Sequence, residues 1–256
     1  MNIQRINITI EQLRQIPDHE RALIVVLAHA LNEVNVLNKL IFLCTNFDIE
    51  PRWKAHAHAS QAFVLARLLI SELNEAWNAI QKGYFGSQLS KKYANYLEPS
   101  ATKALNDLKT YFGRKNLLYE VRNNFSFHYS LEHAATTIPD DTPTDDLTIF
   151  LHETQGNSLY YFAEYLMSKA LIDSISPNDP ESALNTLLTE MSTVVDCLNE
   201  FVQGLLFVVL DNHIGEDVLR QSVKEIDLGI VVRSIDVKIP YFFEIVRTSD
   251  VPINLP

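Results

Sequence analysis

The chain has 256 residues, enough for one large domain or a domain with an extension, and 47% of them are apolar, so a sizeable core can form. Its 7 glycines are too few for the many turns of an all-β sandwich or barrel. With 21 basic against 32 acidic residues, the net charge of -11 argues against broad, non-specific adhesion to nucleic acid or to an anionic membrane, while leaving room for a local basic site.

The N-terminal stretch MNIQRINITIEQ lacks the basic-then-apolar order of a signal peptide. The longest clean apolar run, GLLFVVL, is far shorter than the ~20 residues that a membrane-spanning helix needs. Cys44 and Cys197 lie inside apolar helical patterns, which is typical of buried, reduced thiols in a cytosolic protein. The sequence therefore predicts a cytoplasmic protein without a membrane span.

Apolar residues at alternating steps of three and four predict three long amphipathic helices. The stripes run from Leu23 to Ile41, from Phe63 to Ile80 and from Leu187 to Val208. Each stripe lies on one helix face and must be buried against other helices, which favours a bundle with near-antiparallel packing. A fourth, shorter helix is predicted to begin at Pro99 and to stop at Gly113.

The C-terminal half predicts a different mixture of elements. Residues 138–146 have the composition of a loop, and residues 176–180 form a second break. Between them, LTIFLHE predicts a strand and SLYYFAEYLMSKALI a helix, while the tail EIDLGIVVRSIDVKIPYFFEIV reads as extended structure. The predicted fold is mainly α. A helical bundle forms residues 1–137, and an extension of helices and a few strands, residues 145–256, packs on it.

The segment YEVRNNFSFHYS, residues 119–130, places polar side chains where an apolar stripe should continue. His128 falls at the next core position after Phe125, and Arg122 flanks the stripe. In an ideal α-helix the six steps between Arg122 and His128 turn about 600°, so the two side chains diverge by about 240°, whereas Asn124 and His128 share a face. One interpretation is a satisfied core histidine beside a flanking arginine with its head in water. The convergence of several polar groups, each needing a partner if buried, favours a functional site.

An arginine followed by a polar residue, with five residues between that arginine and a histidine, on a late helix of a bundle, resembles the HEPN superfamily. The likeness is greatest to HEPN proteins of the abortive-infection and toxin type. QAFVLARLLISELNEAW and YFGRKNLLYEVRN also resemble bacterial relatives of that group, so the resemblance covers roughly residues 20–135. It implies an antiparallel HEPN-like bundle and a homodimer. It further implies a metal-independent endoribonuclease site, without cofactors, where the motif helices of two protomers meet.

The resemblance implies that Arg122 and His128 are the catalytic residues. RNA carries its own nucleophile, the 2′-hydroxyl, and a histidine with a pKa near ~6.5 acts as general acid or base at neutral pH. Arginine offers a fixed fork of donors to phosphate oxygens. Asn123 and Asn124 are expected to orient the imidazole or to bind phosphate, and Phe125 to supply apolar contact at the dimer interface together with Tyr129.

Because nucleic-acid affinity comes largely from neutralised phosphates, a chain this acidic must concentrate its cations. Arg114 and Lys115 lie just before the motif, and Lys91 and Lys92 lie in the preceding connection. A small basic cleft of this kind suits one structured RNA better than any long polymer. The resemblance also implies an antitoxin or a nucleotidyltransferase as partner. The second hypothesis is a catalytically silent helical dimer that serves as an interaction or nucleotide-binding module.

Other polar groups on the second long helix are weighed against this site. His56 and His58, two residues apart, diverge by about 200° on a helix, which disfavours a transition-metal site. Glu72 and Glu75 are typical of a solvated face, although Glu75 is expected to pair with Arg122 if the two helices pack together. The sequence contains no phosphate-cradling glycine loop, no G-x-S-x-G and no H-E-x-x-H.

Overall fold

The computed structural model describes residues 1–45, 51–126 and 142–244. Helices dominate these ranges, which confirms the prediction of a mainly α protein. The described α-helices are, in chain order, α1 (Ile10–Gln15), α2 (Asp18–Cys44), α3 (Arg52–Ala79), α4 (Leu89–Tyr93), α5 (Pro99–Phe112), α6 (Leu117–Val121), α7 (Tyr161–Ile175), α8 (Pro180–Ile214) and α9 (Glu216–Ser222). Wider π-helical turns, Ile80–Phe85 and Arg122–Ser126, continue α3 and α6. Short 3-10 turns are Thr144–Asp146, Gln155–Asn157 and Ser234–Asp236.

The four longest stretches of apolar helical periodicity all form helices, and their ends follow local chemistry. Pro99 occupies the first turn of α5, where its missing N–H costs no hydrogen bond, and Gly113 follows the last residue of that helix. Asn116 caps α6 by accepting a hydrogen bond from the backbone N–H of Tyr119.

Of the long helices, α2 and α5 pack antiparallel to α8. The side-chain amides of Asn35 on α2 and Asn199 on α8 exchange hydrogen bonds of 3.1 Å. Glu20, at the start of α2, contacts His213, at the end of α8, so the two helices run in opposite directions. α5 also runs antiparallel to α8, since Tyr111 near its end donates to Glu190 near the start of α8.

One hydrophobic core extends from Ile16 to Leu219. It includes apolar residues of α2, α3 and α5 together with those of α7 and α8, so it is continuous across the sequence-predicted boundary between residues 137 and 145. A smaller cluster of Ala57, Leu159 and Tyr161 lies apart from it, near the start of α3. α8 buries apolar residues against helices from both halves, and this burial stabilises the fold.

The described strands, β1 (Asn2–Ile6) and β2 (Val223–Asp227), pair antiparallel with Ile6 opposite Val223. β2 lies at the start of the tail predicted as extended, whereas β1 was not predicted. The predicted strand LTIFLHE is not formed: Phe150 pairs with Leu159 in an isolated bridge, and with no neighbouring ladder to extend it the pairing stops there.

Two of the described helices, α2 and α8, are long and apolar enough to cross a membrane by length and composition. Core helices of soluble proteins satisfy the same criterion. In the apolar window of α8, 44% of the residues are buried inside the protein, against 17% in that of α2, whose Val25, Val26 and Val36 are exposed. Length and composition alone do not distinguish a core helix from a span, so the cytoplasmic location remains a prediction.

Gly204 provides a test of the α5–α8 contact. A methyl group added there would lie 2.6 Å from Cβ of Ala101. We expect Gly204→Ala to lower the free energy of unfolding by about 1–3 kcal/mol through overpacking, although helix propensity favours alanine by about 1 kcal/mol. Urea denaturation measures the change. The double variant Ala101→Gly with Gly204→Ala removes the methyl group of residue 101 and should recover part of the lost stability. Gly204→Ala alone, if it were as stable as wild type, would contradict the close approach of α5 and α8.

Candidate functional site

Arg122 stands where α6 passes into a wider turn. Leu118 and Val121 of α6 and Phe125 of the following turn are buried in the core, which fixes the backbone on either side of Arg122. The side-chain amide of Asn74 on α3 donates 3.3 Å to the carbonyl of Leu118 and ties the two helices together. Single π-helical turns inside helices occur frequently at functional sites.

The guanidinium of Arg122 is held by two hydrogen bonds. Its Nη2 donates 2.6 Å to Oε1 of Glu75, and its Nη1 donates 3.2 Å to Oδ1 of Asn123. The predicted pairing of Glu75 with Arg122 is thus confirmed. The side chain is 29% exposed, and its Nε is buried without a hydrogen-bond partner among the described residues. Arg122 therefore has a fixed direction and donors beyond those that Glu75 and Asn123 use.

A cavity of about 370 Å³ opens beside Arg122, within the size range of small-molecule sites. The ends of α3 and α5, the connection between α5 and α6, and α6 itself surround it. Its lining residues are Asn74, Trp77, Asn78, Gln81, Phe112, Arg114, Lys115, Asn116, Tyr119 and Arg122. The structure therefore brings the predicted residues Arg114, Lys115 and Arg122 to one place.

The cavity is cationic in an acidic protein. Its lining includes three cations, Arg114, Lys115 and Arg122, and no carboxylate. Arg114 makes no ion pair within the described ranges. Lys115 lies 2.7 Å from Glu120, and this hydrogen bond raises the pKa of the exposed lysine. Because that pair is open to water, an incoming phosphate competes readily for the ammonium group.

Aromatic rings form the apolar wall of the cavity. Trp77 is largely buried and stacks on Phe112, with ring centroids 5.0 Å apart and planes 12° from parallel. Tyr119 lines the same space and is 53% exposed. Cations, amides and an exposed aromatic ring together provide the contacts that single-stranded nucleic acid uses: phosphate, base edge and base face.

The structure places the other predicted site residues differently. Asn123 contacts Arg122, but neither Asn123 nor Asn124 lines the cavity. Lys91 and Lys92 lie on α4 and do not line it either, and Lys92 donates 2.7 Å to Glu20 instead.

The predicted catalytic histidine, His128, lies outside the described residues, as does Tyr129. Phe125, expected at a dimer interface, is instead buried in the core of its own protomer. Residues 122–126 form a π-helical turn rather than the α-helix assumed in the sequence analysis.

Sequence reasoning missed a buried cluster around Glu20. Its carboxylate accepts hydrogen bonds from Lys92 Nζ and the Tyr93 hydroxyl, and lies 2.9 Å from His213 Nε2. Burial alone would raise the pKa of Glu20, but the hydrogen bonds of Lys92, Tyr93 and His213 and the charge of Lys92 lower it to about 2. The signal was available, because Glu20 occupies the position three residues before Leu23 on the apolar stripe of α2. The cluster fastens the start of α2 to α4 and to the end of α8.

A second charged group lies near the start of α3. Asp146 is buried, and its Oδ1 lies 3.6 Å from both Arg52 Nη2 and His56 Nε2. The ring of His56 stacks on Tyr161, with centroids 4.5 Å apart, while His58 Nδ1 lies 3.2 Å from the carbonyl of Cys44. Within the described ranges, no group of three His, Cys, Asp or Glu side chains is placed to hold a metal ion.

A further cavity, of about 300 Å³, lies between α3 and α7 and is lined by Phe63, Tyr161 and Tyr165. The charged residues around it form pairs, Arg67 with Glu164 at 2.8 Å and Lys169 with Asp173 at 3.2 Å. Because the carboxylates of Glu164 and Asp173 themselves line this cavity, whereas no carboxylate lines the cavity at Arg122, it favours a phosphate ligand less than the cavity at Arg122 does.

No protein-family model, curated protein or solved structure matches this chain. The described fold and site define a mainly helical protein with a cationic cavity lined by amides and aromatic rings.

Proposed function

We propose that the protein is a HEPN-type, metal-independent endoribonuclease of the toxin or defence kind, with Arg122 and His128 as catalytic residues. The observation that carries this proposal is the cavity at Arg122, where three cations converge without a lining carboxylate although the chain has a net charge of -11. A concentrated cationic site of this kind binds a phosphodiester selectively while the rest of the surface repels a polyanion.

Arg122 acts on the phosphate. As the 2′-oxygen bonds to phosphorus, negative charge grows on the non-bridging oxygens, and donors that are already oriented stabilise it without reorganisation. Glu75 and Asn123 hold the guanidinium in one direction, so the fork does not have to be ordered by the substrate. Arg114, which has no ion pair within the described ranges, supplies a second cation for the flanking phosphate.

His128 transfers the protons. One imidazole accepts the proton of the 2′-hydroxyl as the bond from the 2′-oxygen to phosphorus forms. A protonated imidazole donates to the 5′-oxygen as its bond to phosphorus breaks. The products are a 2′,3′-cyclic phosphate and a 5′-hydroxyl, and no water is consumed. Every group needed for this transesterification is an amino-acid side chain.

The proposal includes a homodimer in which the motif segments of two protomers meet. An isologous contact beside α6 brings Arg122 of one protomer toward the partner subunit's His128. Tyr119, exposed on α6, offers apolar area for such a contact. A cytoplasmic location, and an antitoxin or nucleotidyltransferase that binds the dimer, belong to the same proposal.

The second candidate is a catalytically silent nucleotide-binding module, favoured by the size of the cavity and by its amide lining. It uses the same cations and differs only in the absence of cleavage. Many of the contacts described above would bind a nucleotide without transferring a proton.

RNA cleavage by the purified protein, with and without a chelator, tests the first candidate. We expect equal rates in both conditions and fragments ending in 2′,3′-cyclic phosphate. His128→Ala should abolish cleavage, while His29→Ala, at an exposed histidine of α2, should leave it unchanged. Chelator-sensitive cleavage would contradict the mechanism, and nucleotide binding without any cleavage would favour the silent module.

A further inference from the structure

The cavity at Arg122 contains groups that phosphate binding does not require. Four side-chain amides line it: Asn74, Asn78, Gln81 and Asn116. Two of them are engaged in holding the fold, since Asn74 donates to the carbonyls of Ile70 and Leu118, and Asn116 caps α6. The other two have no side-chain hydrogen bond within the described ranges.

The two free amides, those of Asn78 and Gln81, lie three residues apart where α3 passes into its π-helical turn. Residues three apart lie on neighbouring parts of one helix surface, so both amides are presented to the same space. An amide carries a donor beside an acceptor, which matches the edge of a nucleobase that presents an acceptor beside a donor. In base-paired RNA the Watson–Crick edge is occupied and the edge that carries N7 lies in a deep, narrow groove, whereas an unpaired base exposes both edges.

Tyr119 supplies the complementary surface. Its ring lines the same cavity as the Trp77–Phe112 stack and is 53% exposed, with no ring stacked on it within the described ranges. Successive bases of single-stranded nucleic acid stack on exposed aromatic rings of this kind.

We propose that this cavity is a nucleobase subsite, which reads one unpaired base of the RNA beside the phosphate held by Arg122. The base stacks on Tyr119 and its hydrogen-bonding edge meets Asn78 and Gln81. Adenine is the expected base, because the two-point pairing with an asparagine or glutamine amide is characteristic of adenine. The subsite rests on the proposed function, to which it adds the substrate class: single-stranded RNA with an adenine next to the cleaved bond.

Trp77 gives a direct readout of the subsite in the full-length chain. The protein has 2 tryptophans, and Trp53 contacts Phe150 and Phe242, so Trp53→Phe keeps an aromatic ring there and leaves Trp77 as the reporter. Fluorescence titration with AMP, GMP, CMP, UMP and ribose 5-phosphate compares the bases with the bare sugar phosphate. We expect AMP to bind at least about tenfold more tightly than ribose 5-phosphate and than the other nucleotides.

Variants separate base recognition from phosphate recognition. Asn78→Ala should remove the advantage of AMP and leave the affinity for ribose 5-phosphate unchanged, whereas Arg122→Ala should weaken both ligands. Asn38→Ala, at an exposed amide of α2, should change neither. If AMP binds no more tightly than ribose 5-phosphate, or if Asn78→Ala leaves the difference between them intact, the subsite is refuted.

The same titration distinguishes failure of the subsite from failure of the proposed function, because it does not depend on cleavage. RNA cleaved without dependence on the neighbouring base would keep the ribonuclease and refute the subsite. Adenine-dependent binding without cleavage would keep the subsite and refute the ribonuclease.

Discussion

Replacing Arg122 with alanine should lower the rate of RNA cleavage by at least about 100-fold, because it removes oriented donors aimed at the charge that develops on the phosphate. Stability should change by only about 0–1 kcal/mol, since the partner carboxylate of Glu75 is 53% exposed and regains water when the pair is lost. Cleavage rates and urea unfolding, measured on the same preparation, separate the two effects. Arg14→Ala, at an exposed arginine of α1, is the matched control.

Two further variants test whether the orientation of the Arg122 donors matters as much as the positive charge of the side chain. Arg122→Lys keeps the charge but not the fork of donors, so it should recover little of the lost activity. Glu75→Gln removes a carboxylate that competes with phosphate for Arg122 while keeping a hydrogen-bond acceptor of the same shape. It should strengthen RNA binding and lower the cleavage rate less than Arg122→Lys does. An Arg122→Ala protein that still cleaves RNA would remove Arg122 from the mechanism.

A shared site between two protomers makes a distinctive prediction about mixtures. Arg122→Ala and His128→Ala proteins should each be inactive, but a mixed dimer keeps one intact Arg–His pair across the interface and should regain part of the activity. Sedimentation of the same mixture shows whether dimers form. A protein that sediments as a monomer and still cleaves RNA would contradict the shared site.

The sequence predicted the long helices because their signals are local. Steps of three and four along α2, α3 and α8 determine which face is buried, and Pro99 and Gly113 mark the ends of α5 without reference to any other part of the chain. The extended tail was found only in part, as β2, because strand formation depends on a partner. Here the partner is β1, more than 200 residues away in sequence, for which no strand was predicted.

The residues of the candidate site likewise differ in whether local sequence or tertiary packing places them. Arg114 and Lys115 were found because they lie close to Arg122 in sequence, whereas Asn78 and Gln81 reach the cavity only through the packing of α3 against α6. For Lys92 the sequence suggested a role that the structure does not support. It was predicted to bind phosphate, but its ammonium group donates a hydrogen bond to Glu20, 72 positions away. A residue's nearest charge is a tertiary property, and no helical period predicts it.

Acidification should remove about 3 kcal/mol of stability through Glu20 alone. The pKa of its carboxyl is about 2 in the folded protein, against an ordinary value of 4.5, because Lys92, Tyr93 and His213 hydrogen-bond the ionised form more strongly than burial opposes it. The unfolded chain therefore binds the proton first. The contribution is fully present above about pH 5 and is lost as the pH falls toward 2.

Comparison with Glu20→Gln isolates this contribution, because glutamine does not titrate. Urea unfolding of the wild type should weaken between pH 5 and pH 2 by about 3 kcal/mol more than that of Glu20→Gln, while Glu11→Gln, at an exposed position of α1, should follow the wild type. Parallel curves for wild type and Glu20→Gln would show that the cluster does not hold an ionised carboxylate.

The hydrogen bonds around Glu20 also predict which substitutions lower the free energy of unfolding most at neutral pH. Glu20→Gln should cost about 3 kcal/mol, because it leaves the buried hydroxyl of Tyr93 and the ring of His213 without their charged partner. Lys92→Met should cost less, since Glu20 keeps two of its three partners and the lysine side chain is 38% exposed. Lys92→Glu would set a second carboxylate against Glu20 and unfold this corner of the bundle. Weaker RNA binding by that variant would therefore report on stability, and Lys91→Glu is the substitution on α4 that tests an RNA path without disturbing the fold.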